Sequence, residues 1–149
     1  MLSKGKNKMI RKLLIDENNG KIKKEYQWDL NHAWYCIGDA EFKMGKYKKS
    51  IDSFKKSYKS NNKDIQCLIA IGNCFEAMKK PKKSEEILRK ALEKGPKGKT
   101  KAAIIFNLGN ALFDQKKYEE AASLYYEINK RRDEIGKRAR KNLKIILSR

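Results

Sequence analysis

No run of 18 apolar residues occurs anywhere in the 149-residue chain, so no transmembrane helix is expected. No apolar stretch follows the basic start, so no secretory signal is visible. The opening "MLSKGKNKMIRKLLI" is basic and amphipathic, in the manner of an organelle transit peptide, but Asp16 and Glu17 follow directly and argue against targeting. Cysteine is scarce and odd in number: Cys36, Cys67 and Cys74 form no CxxC pair. Cys67 and Cys74 stand seven apart on one expected helix, about 10 Å in rise, too far to bridge. They read as small buried thiols of a reducing compartment, and a cytoplasmic protein is expected. There is one histidine, His32, and no ligand cluster around it, so neither metal nor cofactor is expected. No Gly-rich phosphate loop, metal motif or nucleophile elbow occurs. With no catalytic constellation to build on, the chain is read as non-enzymatic.

What the chain does contain is repetition. Gly38, Gly72 and Gly109 lie 34 and 37 residues apart in matching surroundings. Four residues before them stand Trp34, Leu68 and Ile105; one before, Ile37, Ile71 and Leu108. Two after come the small Ala40, Cys74 and Ala111, and nine after Tyr47, Pro81 and Tyr118. Twelve after come Ser50, Ser84 and Ala121; sixteen after, the large Phe54, Leu88 and Tyr125; nineteen after, Ser57, Ala91 and Ile128. Apolar positions at helical spacing give each helix one buried face. A glycine at a helix crossing lets two backbones approach, and a bulky residue of the partner helix fills the adjoining space. A unit of about 34 residues built this way predicts stacked helix pairs.

The pattern resembles the tetratricopeptide repeat, a helix–turn–helix unit. "AWYCIGDAEFKMGKYKKSIDSF" and "FNLGNALFDQKKYEEAASLYY" carry the resemblance most strongly, and it covers roughly residues 31 to 134. The resemblance implies an all-α fold, a right-handed superhelical solenoid of antiparallel helix pairs. Three departures stand out. Lys79 replaces the turn glycine that repeat one has at Gly45. Glu41 occupies a position where a large apolar residue is usual. Ile128 replaces a small residue at a crossing. Pro81 still starts a helix well.

On this basis residues 1–149 form a single domain. An N-terminal helical extension covers 1–30, the repeats run 31–64, 65–98 and 102–135, and a capping helix covers 136–149. Residues 1–15 read as an amphipathic helix with Leu2, Met9, Ile10, Leu13 and Leu14 as apolar positions. Asp16 to Gly20 reads as a turn. Residues 21–30 fit either a short extended segment or the lead into the first repeat helix, with Asp29 and Asn31 both plausible N-caps. Lys99, Thr100 and Lys101 are an insertion expected to lengthen the loop begun by Gly95, Pro96 and Gly98. The tail places Ile135, Ala139, Leu143, Ile146 and Leu147 on one face. Lys137, Arg138, Arg140, Lys141, Lys144 and Arg149 lie on the other, which fits a terminal cap with a wet outer side.

The resemblance also implies where binding sits, because the first helices of successive repeats line a concave groove. By spacing from each glycine, the groove positions expected to matter are Tyr35, Asp39 and Phe42, then Ile69 and Asn73, then Phe106, Asn107, Asn110 and Phe113. Tyr35, Phe42, Ile69, Phe106 and Phe113 are expected to face outward. The asparagines offer both donor and acceptor to a peptide backbone. Family members that grip a chaperone C-terminal carboxylate use lysine, arginine and asparagine at set positions. Here those positions hold Tyr35, Asp39, Ala70, Ala103 and Asn107, so the basic residues are missing and such a clamp is not expected.

Charge gives a second lead. The formal net charge is +19, from 37 Lys+Arg against 18 Asp+Glu, with seven arginines among the bases. Lys46, Lys48 and Lys49 occupy the turn inside repeat one. Lys79, Lys80, Lys82 and Lys83 occupy it in repeat two, and Lys116 and Lys117 in repeat three. Equivalent turns stack along one edge of a solenoid, which predicts a basic edge suited to a polyanion such as nucleic acid, a ribosome or an acidic protein. The absence of Arg-rich or Gly-aromatic motifs argues against sequence-specific RNA reading. The leading expectation is a scaffold or adaptor that binds a peptide or protein segment in the groove; the alternative is polyanion binding through the edge. Homo-oligomerisation stays open, since an uncapped solenoid end can pair with another copy.

Overall fold

The computed structural model describes residues 4–149, so Leu2 lies outside the described residues. Among these there are eight α-helices, one 3-10 turn and no β-strand. The helices are α1 (Lys4–Leu14), α2 (Leu30–Lys43), α3 (Tyr47–Ser60), α4 (Ile65–Ala77), α5 (Pro81–Glu93), α6 (Gly98–Asp114), α7 (Tyr118–Glu127) and α8 (Glu134–Leu147). The chain divides into two compact units, the first ending at Met78 and the second running Lys79–Arg149. The division falls inside repeat two, at its turn.

In the first unit, α1 packs on α2, α2 on α3, and α3 on α4. After α1 the chain turns back through Asp16–Gly20. There Gly20 N–H donates to Asp16 O at 2.8 Å and Asn18 N–H to Asp16 Oδ1 at 2.9 Å. A lone antiparallel bridge joins Ile15 to Ile22, and both isoleucines are buried against Ala33 and Ile37. The segment left open by the sequence is a 3-10 turn, Lys24–Asp29. Asp29 is the N-cap of α2, accepting from His32 N–H at 3.0 Å. Asn31 does a different job: its amide donates to Ser57 O, Ser57 Oγ and Asp64 Oδ2 at 3.0–3.1 Å, while Ser57 Oγ donates to Asn31 O at 2.6 Å. The apolar stripe expected on α1 is also partly misplaced. Met9 and Leu13 are exposed; the buried side chains are Asn7 and Ile15.

The α2–α3 contact follows the glycine rule. A Cβ on Gly38 would sit 2.8 Å from the Phe54 ring, so only glycine admits this ring against the backbone. Ser50 Oγ donates to Gly38 O at 2.6 Å from a fully buried position, and Ser53 Oγ donates to Glu41, which is buried. Small hydroxyls thereby satisfy polar groups inside the contact that would otherwise be costly.

In the second unit α5 packs on α6, α6 on α7, and α8 on α7 and α6. Gly109 repeats the crossing: an added Cβ would meet the Tyr125 ring at 2.8 Å. Leu88, Ile104, Leu108, Leu112 and Tyr125 form the core, each at most 1% exposed. Burial of each such side chain is worth about 1.5–3 kcal/mol. The Lys99–Lys101 insertion lengthens α6 instead of a loop, because α6 begins at Gly98. Asp133 caps α8, accepting from Gly136 N–H at 3.1 Å. Ala139 is fully buried on this helix, but Leu147, expected on its apolar face, is 74% exposed.

The repeat turns share one backbone device. Gly45, Lys79 and Lys116 stand seven residues after their glycines and all have positive φ, at 77°, 60° and 63°. Two of these turns close with the same bond: Lys46 N–H to Glu41 O and Lys117 N–H to Leu112 O, both 2.9 Å. This is the left-handed helix stop that glycine usually supplies. Two lysines adopt it here despite their Cβ.

Candidate peptide-binding face

The first-helix faces are those of α2 and α4 in the first unit and, separately, of α6 in the second. In α2, Tyr35 is half-buried with its ring 5.1 Å from the Phe54 ring. Burial first, and the Asp39 carboxylate second, raise the Tyr35 hydroxyl above its ordinary pKa, so it remains a donor. Phe42 meets Tyr47, the first residue of α3, edge-on at 5.4 Å, and Asp39 pairs with Lys43 at 2.8 Å. All three side chains keep part of their surface exposed. His32 is exposed, with a ring nitrogen 3.5 Å from the Cys36 sulfur. In α4, Asn73 is half-buried but Ile69 is only 9% exposed.

In the second unit the same register recurs. Phe113 meets Tyr118 edge-on at 5.4 Å, the counterpart of Phe42 and Tyr47. Phe106 meets Tyr125 at 5.9 Å, the counterpart of Tyr35 and Phe54. Phe106 differs in being buried, at 5% exposure, with the Arg138 guanidinium of α8 4.9 Å above its ring. Asn110 Oδ1 accepts from Tyr125 Oη at 2.5 Å and from Asn142 Nδ2 at 3.2 Å. Asn107 stays half-buried.

Two expectations are corrected here. Ile69 and Phe106 do not face outward. Phe106 is covered by α8, whose Arg138 stacks on it while Asn142 engages Asn110, so the cap occupies part of the α6 face. Spacing from the glycine assigns a residue to a helix face, but it cannot say what a flanking helix does to that face. The side chains left partly open are Tyr35, Asp39, Phe42 and Asn73 in the first unit, and Asn107, Asn110 and Phe113 in the second.

The sequence reading missed the polar knot at the foot of α2. Asn31, Ser57, Asp64 and Cys67 come together there, with the Cys67 thiol donating to Ser57 Oγ at 3.2 Å. Burial drives the Cys67 thiol up to about 11, and burial also raises Cys36 and Cys74. The available signal was the spacing of Ser50, Ser53 and Ser57 along one face of α3. Among the described residues no cluster of His, Cys, Asp and Glu could hold a metal ion. No described helix is long and apolar enough to cross a membrane.

The turn lysines Lys46, Lys48 and Lys49 are exposed on the first unit. On the second unit Lys79, Lys80, Lys82, Lys83, Lys116 and Lys117 are exposed. Lys117 reaches Glu85 at 3.5 Å. Burial would raise the Glu85 carboxyl, but hydrogen bonds from Arg89 and Gln115 outweigh it and hold the group below its ordinary range.

Residues 32–64, 65–93 and 102–132 each match the family model of the tetratricopeptide repeat, together more than half of the chain. The protein belongs to the tetratricopeptide repeat family. A search of curated proteins finds no match. Among solved structures, the chain is similar to the first TPR of Spaghetti (RPAP3) bound to HSP90 peptide SRMEEVD. The TM-score is 0.70 at 18% identity, covering 91% of this chain and 96% of that one. It is also similar to the Arabidopsis OM64 TPR domain, with a TM-score of 0.67 at 18% identity over 77% and 94% of the two chains. A third similar structure is the Yersinia enterocolitica type III secretion translocator chaperone SycD, with a TM-score of 0.68 at 16% identity over 86% and 88%. At these identities the likeness shows the fold, which is all-α and of the TPR type.

Proposed function

We propose that this TPR protein is a non-enzymatic adaptor that holds an extended or helical segment of another protein on the first-helix faces of its repeats. The observation that carries the reading is the trio Tyr35, Asp39 and Phe42 on α2. Two aromatic rings stand partly exposed on either side of a carboxylate, each ring propped from behind by a partner ring, Phe54 or Tyr47. Aromatic anchors of this kind, fixed before binding, lose little entropy when a partner arrives. The resemblance to a TPR domain that holds an HSP90 peptide supports segment binding as a mode. The chemistry differs, because Tyr35 stands where a carboxylate clamp needs a cation and Asp39 where it needs an asparagine.

The test is affinity purification from the native cell with the wild-type chain and with Asp39→Lys combined with Asn107→Lys. Each side chain lies on a first-helix face, Asp39 in the first unit and Asn107 in the second, and neither is buried. Loss of a reproducible partner, with helicity unchanged, is the expected result. Undiminished recovery overturns the reading.

The nine exposed turn lysines favour a second reading, polyanion binding. It predicts affinity for generic RNA that falls steeply as salt rises. A flat salt response, or no binding at low salt, removes it.

A further inference from the structure

The first unit contains a cavity of about 650 Å³ between α1 and α2. That volume is in the range of small-ligand sites. Its floor is apolar: Ile15, Ile37 and Ala40, nearly covered at no more than 4% exposed, lie beneath the Met9 and Met44 thioethers, which supply its open apolar surface. Its rim is cationic, carrying Lys8, Arg11 and Lys12 from α1 and Lys46 and Lys49 from the repeat-one turn and α3. Two carboxylates, Glu17 and Glu41, oppose these five cations. Glu41 is already engaged, by the Ser53 hydroxyl and by Arg11 at 3.6 Å.

The cavity coincides with an anomaly in the repeat. Three residues after the glycine, repeat two has Phe75 and repeat three has Leu112, which is 1% exposed. Repeat one has Glu41, whose carboxylate turns aside to Ser53 and leaves unfilled the space that a large apolar side chain takes elsewhere.

We propose that this cavity binds a single amphipathic anion, an unbranched acyl chain ending in a carboxylate or phosphate. The chain lies against the Met9 and Met44 thioethers above the Ile15, Ile37 and Ala40 floor, and the head group sits among the rim cations. A hydrocarbon chain asks for no hydrogen bonds, and this surface offers few. A peptide backbone would bring N–H and C=O groups that need partners. No aromatic residue lines the cavity, so a nucleobase finds nothing to stack on. The adjustable methionines suit a flexible chain. This site is separate from the proposed protein-binding face, and the two stand or fall independently.

The experiment titrates dodecanoate, below its micelle concentration, into the full chain. Calorimetry gives stoichiometry and affinity, and the carbon-13 methyl signals of Met9 and Met44 give location. The expected result is one site per chain with both methyl signals shifting. Dodecyl phosphate should bind comparably. Acetate and inorganic phosphate should not bind, and dodecyl maltoside, with the same chain and no charge, should bind at least tenfold more weakly. Lys46→Glu with Lys49→Glu reverses exposed charges and should weaken dodecanoate at least tenfold. Ala40→Phe fills the cavity from its floor and should abolish binding; should that variant not fold, the rim variant decides. Absence of saturable binding overturns the proposal. So do several molecules per chain with unmoved methionines, inorganic phosphate binding as tightly as dodecanoate, or an acidic peptide binding there in its place.

Discussion

The two flanking helices face the same problem and solve it differently. α1 and α8 each lie against the first helix of an outer repeat, α2 and α6. α8 carries Gly136 and Ala139, both buried, and comes close enough for Asn142 to bond Asn110 and Arg138 to stack on Phe106. α1 carries buried Asn7 where α8 has its small residues, faces Glu41, and leaves a 650 Å³ cavity. Close docking of a flanking helix needs small side chains on it and an apolar surface beneath. One flanking helix lays small residues on its unit; the other sets Asn7 and Glu41 into a contact whose floor, Ile37 and Ala40, is apolar.

The strongest way to break this comparison is to make the same change in both helices. A Cβ on Gly136 would lie 2.0 Å from the Arg131 carbonyl oxygen, a backbone atom that cannot move cheaply. Gly136→Ala should destabilise by about 3 kcal/mol in urea unfolding. Gly5 of α1 is exposed, and Gly5→Ala should instead stabilise by about 0.5–1 kcal/mol through helix propensity. Equal effects would mean that the turn before α8 gives way to a Cβ at Gly136 as freely as solvent does at Gly5.

A second change makes the first end resemble the other. Glu41→Leu copies Leu112 of repeat three. Apolar filling of the cavity outweighs the loss of one hydrogen bond at Ser53, and Arg11 remains solvated, so stability should rise by about 1 kcal/mol. A fall of that size would show that the carboxylate holds the unit together.

The third concerns pH. The folded Cys67 thiol titrates near 11, against an ordinary 9.0, because burial opposes its charge. A raised pKa stabilises the fold below the ordinary value and loses that contribution as pH climbs through the folded one. Above pH 9 the unfolded chain ionises while the folded thiol does not. Stability should therefore fall between pH 9 and 11, with Cys67 contributing about 1.4 kcal/mol for each pH unit. Cys67→Ala should flatten that part of the profile. A slope identical to the wild type's would assign it to other groups.

The smallest effect sits at the turns. Lys79→Gly and Lys116→Gly should each stabilise by about 0.5–1 kcal/mol by relieving a left-handed lysine, and Gly45→Lys should cost a similar amount. Thermal melts of the three variants measure this.

The sequence showed the repeat register because glycine and its partner recur at fixed spacing. The pairs sixteen apart, Gly38 with Phe54 and Gly109 with Tyr125, meet as that spacing implied. Asp29 and Asn31 were equivalent as letters, and three-dimensional neighbours chose between them: Asp29 lies at the free start of α2, while Asn31 faces Ser57 and Asp64. Tyr35 and Phe106 hold the same repeat position, but only Phe106 lies beneath a flanking helix. Met9 and Leu13 fit an apolar stripe on a helical wheel, yet the surface of α2 that they were to cover is partly replaced by a cavity. Periodicity records which residues share a face and is silent on what comes to rest against it.

The serines of α3 have a consequence for alignment. Ser57 engages Asn31 and Ser50 engages Gly38, so the two contacts stand seven residues apart on each antiparallel helix, about two turns or 10 Å. They act as two teeth of a ratchet. If α3 slid along α2 by a single turn, both hydroxyls would lose their carbonyls at once and the Phe54 ring would leave the notch at Gly38. Greasy contacts tolerate such a slip; paired hydroxyls do not. The first helix pair is thus indexed along its own axis, and that indexing holds the Phe54 and Tyr47 rings of α3 behind Tyr35 and Phe42 of α2.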